Sequence, residues 1–298
     1  MNSYNTNNNT SCLDLKEIKL HLEDLGFEKQ ALDLLDCNRF ILPGHSKVHN
    51  SLCKFMCGCR FWKFRKTCKL RICPTCSKKR SHKLYKDLRE PFKKLKVAHS
   101  IYDTGLRFLT LTIKNTKNLE EGINDIQKFF RMFQRRKYIL VNVHGGLGVI
   151  EAKRGKDRLW NVHVHCVIES KYLAREFNGE DPKLVKEWKS ITKTSSVLDI
   201  RLVKDSDIAL KYILKYVSKG LKDHSSEDIA EFYKATYGKR LLITFGSFRK
   251  ILVKTKFLCP DCNCPLQYVS DYEYEELTKS KYPERPDKTG QLRLLEND

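Results

Sequence analysis

Trp160-Asn161-Val162-His163-Val164-His165-Cys166-Val167-Ile168 alternates along its length with the period of two that marks a strand. Trp160, Val162, Val164, Cys166 and Ile168 fall on one face, and Asn161, His163, His165 and Val167 on the other. A strand that needed only a core would rarely set two imidazoles side by side on one face. Together they can present two ring nitrogens to one ion. Taken alone, the pair reads equally as two solvent-facing histidines on a half-exposed strand. Partners elsewhere in the chain favour the first reading.

Residues 210–220 read Leu-Lys-Tyr-Ile-Leu-Lys-Tyr-Val-Ser-Lys-Gly, a helical pattern in which Tyr212 and Tyr216 are four apart and share a face. Lys215 and Lys219 each follow a tyrosine by three. A lysine one turn from a tyrosine puts a cation near the phenolic oxygen, which favours the phenolate and can hold a phosphate. The plain alternative is an amphipathic helix with half-buried tyrosines and snorkelling lysines. Glu151 sits in a strand that leads into the turn Lys153-Arg154-Gly155-Lys156-Asp157. With that hairpin centred near Gly155 and Lys156, Glu151 falls opposite residues 160–162, one step short of His163. It can then complete a His163, His165, Glu151 set, with His144 as the other possible ligand and a surface salt bridge as the ordinary role for Glu151. Two imidazoles and a carboxylate suit Mn²⁺ or Mg²⁺ held beside a phosphate oxygen.

The pattern around these residues predicts strand 107–113, helix 119–137, strand 147–153, strand 159–169, helix 182–190, strand 197–203 and helix 206–219. This β-α-β-β-α-β order is an α+β, ferredoxin-like split unit, with an antiparallel sheet and helices on one face. A further helix is expected at 225–236 and a strand at 241–245.

Three stretches in this order, Phe-Leu-Thr-Leu-Thr at 108–112, His-Val-His at 163–165 and Lys-Tyr-x-x-Lys-Tyr-x-x-Lys at 211–219, resemble the motifs of the HUH endonucleases, most closely the rolling-circle replication initiators. The doubled tyrosine is similar to that of the bacteriophage gene A type. A cluster of cysteines upstream resembles those of plasmid initiators and of related single-strand transposases. The resemblance covers roughly residues 53–220 and implies an RRM-like fold. It also implies a metal at the histidines, and a tyrosine that attacks DNA to leave a 5′-phosphotyrosine and a primer 3′-OH that is later rejoined. Tyr216 best fits the first nucleophile. In many single-tyrosine plasmid initiators a glutamate stands four residues before the nucleophile; Tyr212 holds that place here, which argues against termination by water. A transposase of the same superfamily would share all these motifs, and a zinc protein that only binds DNA would need none of the tyrosines.

The formal charge of +21, from 57 Lys and Arg against 36 Asp and Glu, points to an acidic polymer as partner. No apolar run approaches the ~20 residues of a membrane span. No signal peptide is evident, so the expected compartment is the cytosol, where twelve cysteines serve better as metal ligands than as disulfides. Residues 1–13, rich in Asn, Ser and Thr, are expected to be disordered. Residues 14–50 hold two short helices broken near Gly26, residues 51–100 a basic zinc module, residues 101–223 the HUH endonuclease domain, residues 224–270 an extension with a cysteine knuckle, and residues 271–298 a polar tail.

In the zinc module, Cys73-Pro-x-Cys76 makes a tight turn for two thiolates, while Cys57, Cys59 and Cys68 can supply the others, with Cys53 or Cys59 as a spare. Arg60, Lys63, Arg65, Lys66, Lys69 and Arg71 can grip phosphates there. Phe61, Trp62 and Phe64 can stack on bases or simply plug the module. A basic helix is expected from Ser77, as cap, to a break near Pro91, and it carries Lys79 and Arg80. Cys259, Cys262 and Cys264 repeat the knuckle and need a fourth ligand from an N-terminal cysteine, His45 or His49. No phosphate-binding Gly-x-x-x-x-Gly-Lys-Ser/Thr loop is present, so unwinding and synthesis are expected from a host helicase and polymerase.

Overall fold

A computed structural model describes residues 15–37, 52–55, 61–63, 67–95, 103–171, 173, 182–194, 198–218, 224–251 and 266–268. In chain order its helices are α1 Leu15–Asp24, α2 Glu28–Leu35, α3 Pro74–Lys93, α4 Leu119–Gln134, α5 Lys137–Asn142, α6 Lys183–Thr192, α7 Ser206–Ser218 and α8 Ser226–Thr236. Its strands are β1 Leu52–Phe55, β2 Phe61–Lys63, β3 Gly105–Thr112, β4 Val143–Arg154, β5 Trp160–Ser170, β6 Leu198–Leu202, β7 Leu242–Gly246 and β8 Leu266–Tyr268. Two compact units result: Met1–Ala31 with Leu70–Val253, and Leu32–Lys69 with Lys254–Asp298. Within the second, three antiparallel strands run in the order β2-β1-β8.

The first unit is α+β, built on an antiparallel sheet of order β6-β3-β5-β4-β7. Leu109, Leu111, Ile150, Val162, Val164, Cys166 and Ile168 turn to one face, where α4 and α6 cover them with Ile123, Ile126, Phe130, Phe133, Leu184 and Trp188. Burying a side chain of this kind is worth roughly 1.5–3 kcal/mol, so this face dominates the stability of the unit. Asn118 starts α4, its side-chain oxygen accepting from the Glu120 and Glu121 N–H groups at 3.0 and 3.2 Å. At Gly122 the helix lies so close to β5 that a Cβ would stand 2.8 Å from Thr116 Cγ2 and 3.1 Å from Val162 Cγ2.

The opposite face is covered as well, which corrects the expectation of helices on one face only. Leu147, Val149 and Val167 meet Leu88 and Phe92 of α3 and Ala209, Leu210, Ile213 and Leu214 of α7. The physical reason is in β4, buried at every residue from 145 to 152, as a strand sandwiched between two layers must be. Covering this second face brings α7 onto the histidine side of the sheet.

Two boundaries also differ from the sequence reading. The helix expected over 119–137 stops at Gln134, Arg136 turns extended (φ −65°, ψ 134°), and α5 begins afresh, burying Ile139 and leaving Leu140 and Val141 exposed. Helix α3 starts at Pro74, with Cys73 rather than Ser77 as its N-cap, since proline is pre-shaped for the first helical position. The Ser77 N–H already donates to the Cys73 oxygen at 2.9 Å. Pro91 forfeits the one bond its nitrogen would have made to the Asp87 oxygen without breaking the helix, and α3 ends two residues later. Helix α1 buries Ile18 and Leu22 and packs on α8, where Ser226 Oγ donates to Glu17 Oε2 at 2.8 Å and the Phe27 ring meets the Tyr233 ring edge-on at 5.1 Å.

Candidate metal and tyrosine site

Alternation in β5 turns His163 and His165 to the face under α7, and the register does the rest. Glu151 of β4 stands directly opposite His163, and Thr110 of β3 opposite His165. Glu151 Oε2 lies 2.6 Å from His163 Nε2 and 2.9 Å from His165 Nε2. The sequence reading put Glu151 one step short of His163, because Gly155 looked like the centre of the turn. The centre is Asp157: its Oδ1 accepts from the Leu159 N–H at 3.1 Å, and the Gly155 N–H closes the loop on the Leu159 oxygen at 2.8 Å. His144, the other possible ligand, is exposed at the far end of β4, seven residues and roughly 23 Å along the strand.

The outward nitrogens are also tied. Asn161 Oδ1 sits 2.8 Å from His163 Nδ1. Thr110 Oγ1 is 3.2 Å from His165 Nδ1. The three donor atoms lie within 4.8 Å of one another, an arrangement that could hold a metal ion.

Helix α7 brings in the tyrosines. The Tyr216 ring stacks on the His165 ring, with centroids 3.7 Å apart and planes 11° from parallel. Its hydroxyl donates to Tyr212 Oη at 2.8 Å, and Tyr212 leans on Phe108 with centroids 4.5 Å apart. Lys215 reaches both tyrosines. Its Nζ lies over the ring faces, 3.8 Å from the Tyr212 centroid and 4.9 Å from that of Tyr216. The Tyr216 phenol is pushed up, not down. Burial is the main cause, followed by the hydrogen bond to Tyr212 and the charges of Tyr212 and Glu151, with Arg201 opposing. Lys219 lies outside the described residues.

Of the expected zinc ligands, Cys73 and Cys76 are buried at the start of α3 with their sulfurs within 4.8 Å. In the second unit Cys68 stands within 4.8 Å of Cys37, a residue the sequence reading did not include. Cys57, Cys59, Cys259, Cys262 and Cys264 lie outside the described residues, as do Arg60, Arg65 and Lys66, while only the backbone of Lys63 is described. Lys69 and Lys79 are exposed and Arg80 is half-buried. Arg71 turns inward, its Nη2 donating to the Lys239 oxygen at 2.5 Å. Between α3 and α7, Lys78, His82, Lys211 and Lys215 line a basic groove.

Asn161 and Thr110 escape the sequence reading as ring-orienting residues, although Asn161 is visible there as the same-face neighbour two positions before His163. Equally hidden is the cluster at the end of the hairpin. Trp160 Nε1 donates to Glu231 Oε1 at 2.9 Å, the His224 ring stacks on Trp160 at 5.7 Å, and Arg154 reaches Asp228 at 3.2 Å. These contacts fasten the start of α8 and the residue before it to the sheet.

The family model described as replication protein matches residues 60–282. Among curated proteins, the chain is 28% identical over 236 residues to a protein named Protein rep from Streptococcus pneumoniae serotype 2 (strain D39 / NCTC 7466), covering 71% of this chain and 70% of that one. Protein rep from Bacillus amyloliquefaciens is 28% identical over 141 residues (46% of this chain, 40% of that protein), and Protein rep from Bacillus sp is 29% identical over 143 residues (46% and 44%). The match thus spans less than half of each Bacillus protein. No solved structure matches the chain.

Proposed function

This chain belongs to the replication-protein family, and on that premise we propose that it is a plasmid-type rolling-circle initiator that cuts one DNA strand with a tyrosine. The observation that carries the reading is the seat of Tyr216 on His165, 3.7 Å ring to ring, beside the three-donor cluster. Attack by Tyr216 Oη forms an O–P bond and breaks the bond from phosphorus to the 3′ oxygen. The phenol's proton is matched by the one the leaving oxygen takes up, giving a 5′-phosphotyrosine and a free 3′-OH. Bound Mn²⁺ or Mg²⁺ would supply positive charge to the scissile phosphate. Asn161 and Thr110 hold the outward Nδ1 of each imidazole, which leaves both Nε2 atoms turned toward Glu151, the anionic donor.

Tyr212 holds the Tyr216 hydroxyl and is itself close enough to serve as the second nucleophile that rejoins the strand. The strand order β6-β3-β5-β4 with α4 and α6 on one face supports the ferredoxin-like, RRM-like reading of the endonuclease domain. Buried thiols at Cys73 and Cys76 support structural Zn²⁺. Single-stranded DNA, with host helicase and polymerase, is the partner set in the cytosol. No helix among the described residues is long and apolar enough to cross a membrane.

The test is cleavage of labelled single-stranded fragments of the chain's own replicon with Mn²⁺. One discrete cut whose 3′ end a polymerase extends is expected. Intact fragments throughout, with DNA binding preserved, would leave a binding protein instead.

A further inference from the structure

Among the described residues, no strand lies beside the outer edge of β4 past Ile150. Pairing with β7 ends at Val149↔Leu242, and the last bond on that side runs from the Ile150 N–H to the Leu241 oxygen at 2.9 Å. Four residues on, the Arg154 N–H donates to His224 Nε2 at 3.1 Å. Successive peptides of a strand face alternate sides, so 150, 152 and 154 share one. Ala152, between two anchored neighbours, therefore directs its N–H and C=O into the gap.

That gap is a cavity of 530 Å³ lined by Ala152, Arg71, Arg80, Leu84, Phe232 and Tyr216. Its size falls in the range of roughly 300–1,000 Å³ that holds small ligands. Glu151 also reaches it, so it adjoins the metal and tyrosine site. The Arg71 guanidinium is held below its usual range, chiefly by burial and then by the charge of Arg80. Arg71 Nη1 is buried with no hydrogen-bond partner among the described residues, so it can donate to a phosphate oxygen in the cavity. Leu84 and Phe232 add apolar surface of the kind on which a base packs.

We propose that this cavity receives one unstacked nucleotide of the DNA strand next to the scissile phosphate, its base edge on the Ala152 peptide and its phosphate on Arg71 and Arg80. Every base carries a hydrogen-bond donor beside an acceptor, the same pairing that a strand peptide offers. The assignment rests on the strand-cutting reading of the adjoining site, and its test does not.

The full chain in EDTA is titrated with each of the four deoxynucleoside 5′-monophosphates and with deoxyribose 5-phosphate, read by saturation-transfer NMR. At least one nucleotide should bind about tenfold tighter than the sugar phosphate. Arg80→Gln, and independently Ala152→Pro, should each weaken it about tenfold. Proline replaces the N–H that faces the cavity with its own ring, a change an open strand edge accepts; Arg80→Gln alters a half-buried helix side chain and keeps the test decisive if the proline variant misfolds. Equal binding of nucleotide and sugar phosphate, no binding, or variants that bind like the parent would overturn the proposal. Because EDTA suspends cleavage, an empty cavity in a chain that still cuts DNA removes this inference alone. A filled cavity in a chain that never cuts removes the cleavage reading alone.

Discussion

The Tyr216 ring lies parallel to the His165 ring at 3.7 Å, and its hydroxyl is bonded to Tyr212 at 2.8 Å. A stacked ring cannot rotate freely, so its oxygen is fixed in height above the sheet. One side chain is thereby shared between the cluster of Glu151, His163 and His165 and a second phenol. Both links depend on α7 covering the histidine face, which follows from the apolar end of β4.

Removing an outer partner of a histidine should weaken the ion without unfolding the chain. Asn161→Ala and Thr110→Val are each expected to lower Mn²⁺ affinity by about 10- to 100-fold. Calorimetric titration of Mn²⁺ into each variant measures this, with circular dichroism as the check on folding.

Alkali should expose the burial of the Tyr216 phenol. Its folded pKa is raised, so the folded state keeps its proton where an unfolded tyrosine, near 10, has lost it. The unfolded chain then binds fewer protons, and stability from this group is complete below about pH 10 and falls as pH rises above it. Guanidinium midpoints at several pH values should drop more steeply above about pH 10 in the parent than in Tyr216→Phe.

Cys166 should be inert in the folded chain. It is 1% exposed, and burial alone pushes its thiol far above the ordinary range. Iodoacetamide is expected to label it only after denaturant is added, read by peptide mass.

Gly122→Ala sets two known effects against each other. Alanine gains up to about 1 kcal/mol of helix propensity. The new Cβ meets Thr116 Cγ2 at 2.8 Å and Val162 Cγ2 at 3.1 Å, and crowding of this kind costs about 1–3 kcal/mol. A net loss near 1 kcal/mol, seen as a lower thermal midpoint, is the expected result.

What could be read in the sequence follows from periodicity. A period of two fixes which face His163 and His165 share, and a period near 3.6 puts Tyr212 and Tyr216 on one stripe, so those groupings need no coordinates. The pairing of Glu151 with His163 depends on the centre of the hairpin. A glycine at 155 suggests one centre, while the Asp157 side chain, by holding the Leu159 N–H, creates another. Lys215 is equally opaque, since spacing gives its turn on the helix but not that its ammonium lies over the tyrosine rings. The helices over the second face are implied only once β4 is recognised as apolar on both sides.

The most direct measurement is a peptide map of the covalent product formed between the full chain and single-stranded DNA of its replicon in Mn²⁺. A nucleotide phosphate on Tyr216, absent with EDTA and in His163→Ala, is the result this account requires. A phosphate on a tyrosine other than Tyr216 or Tyr212, or an adduct indifferent to EDTA, would contradict it.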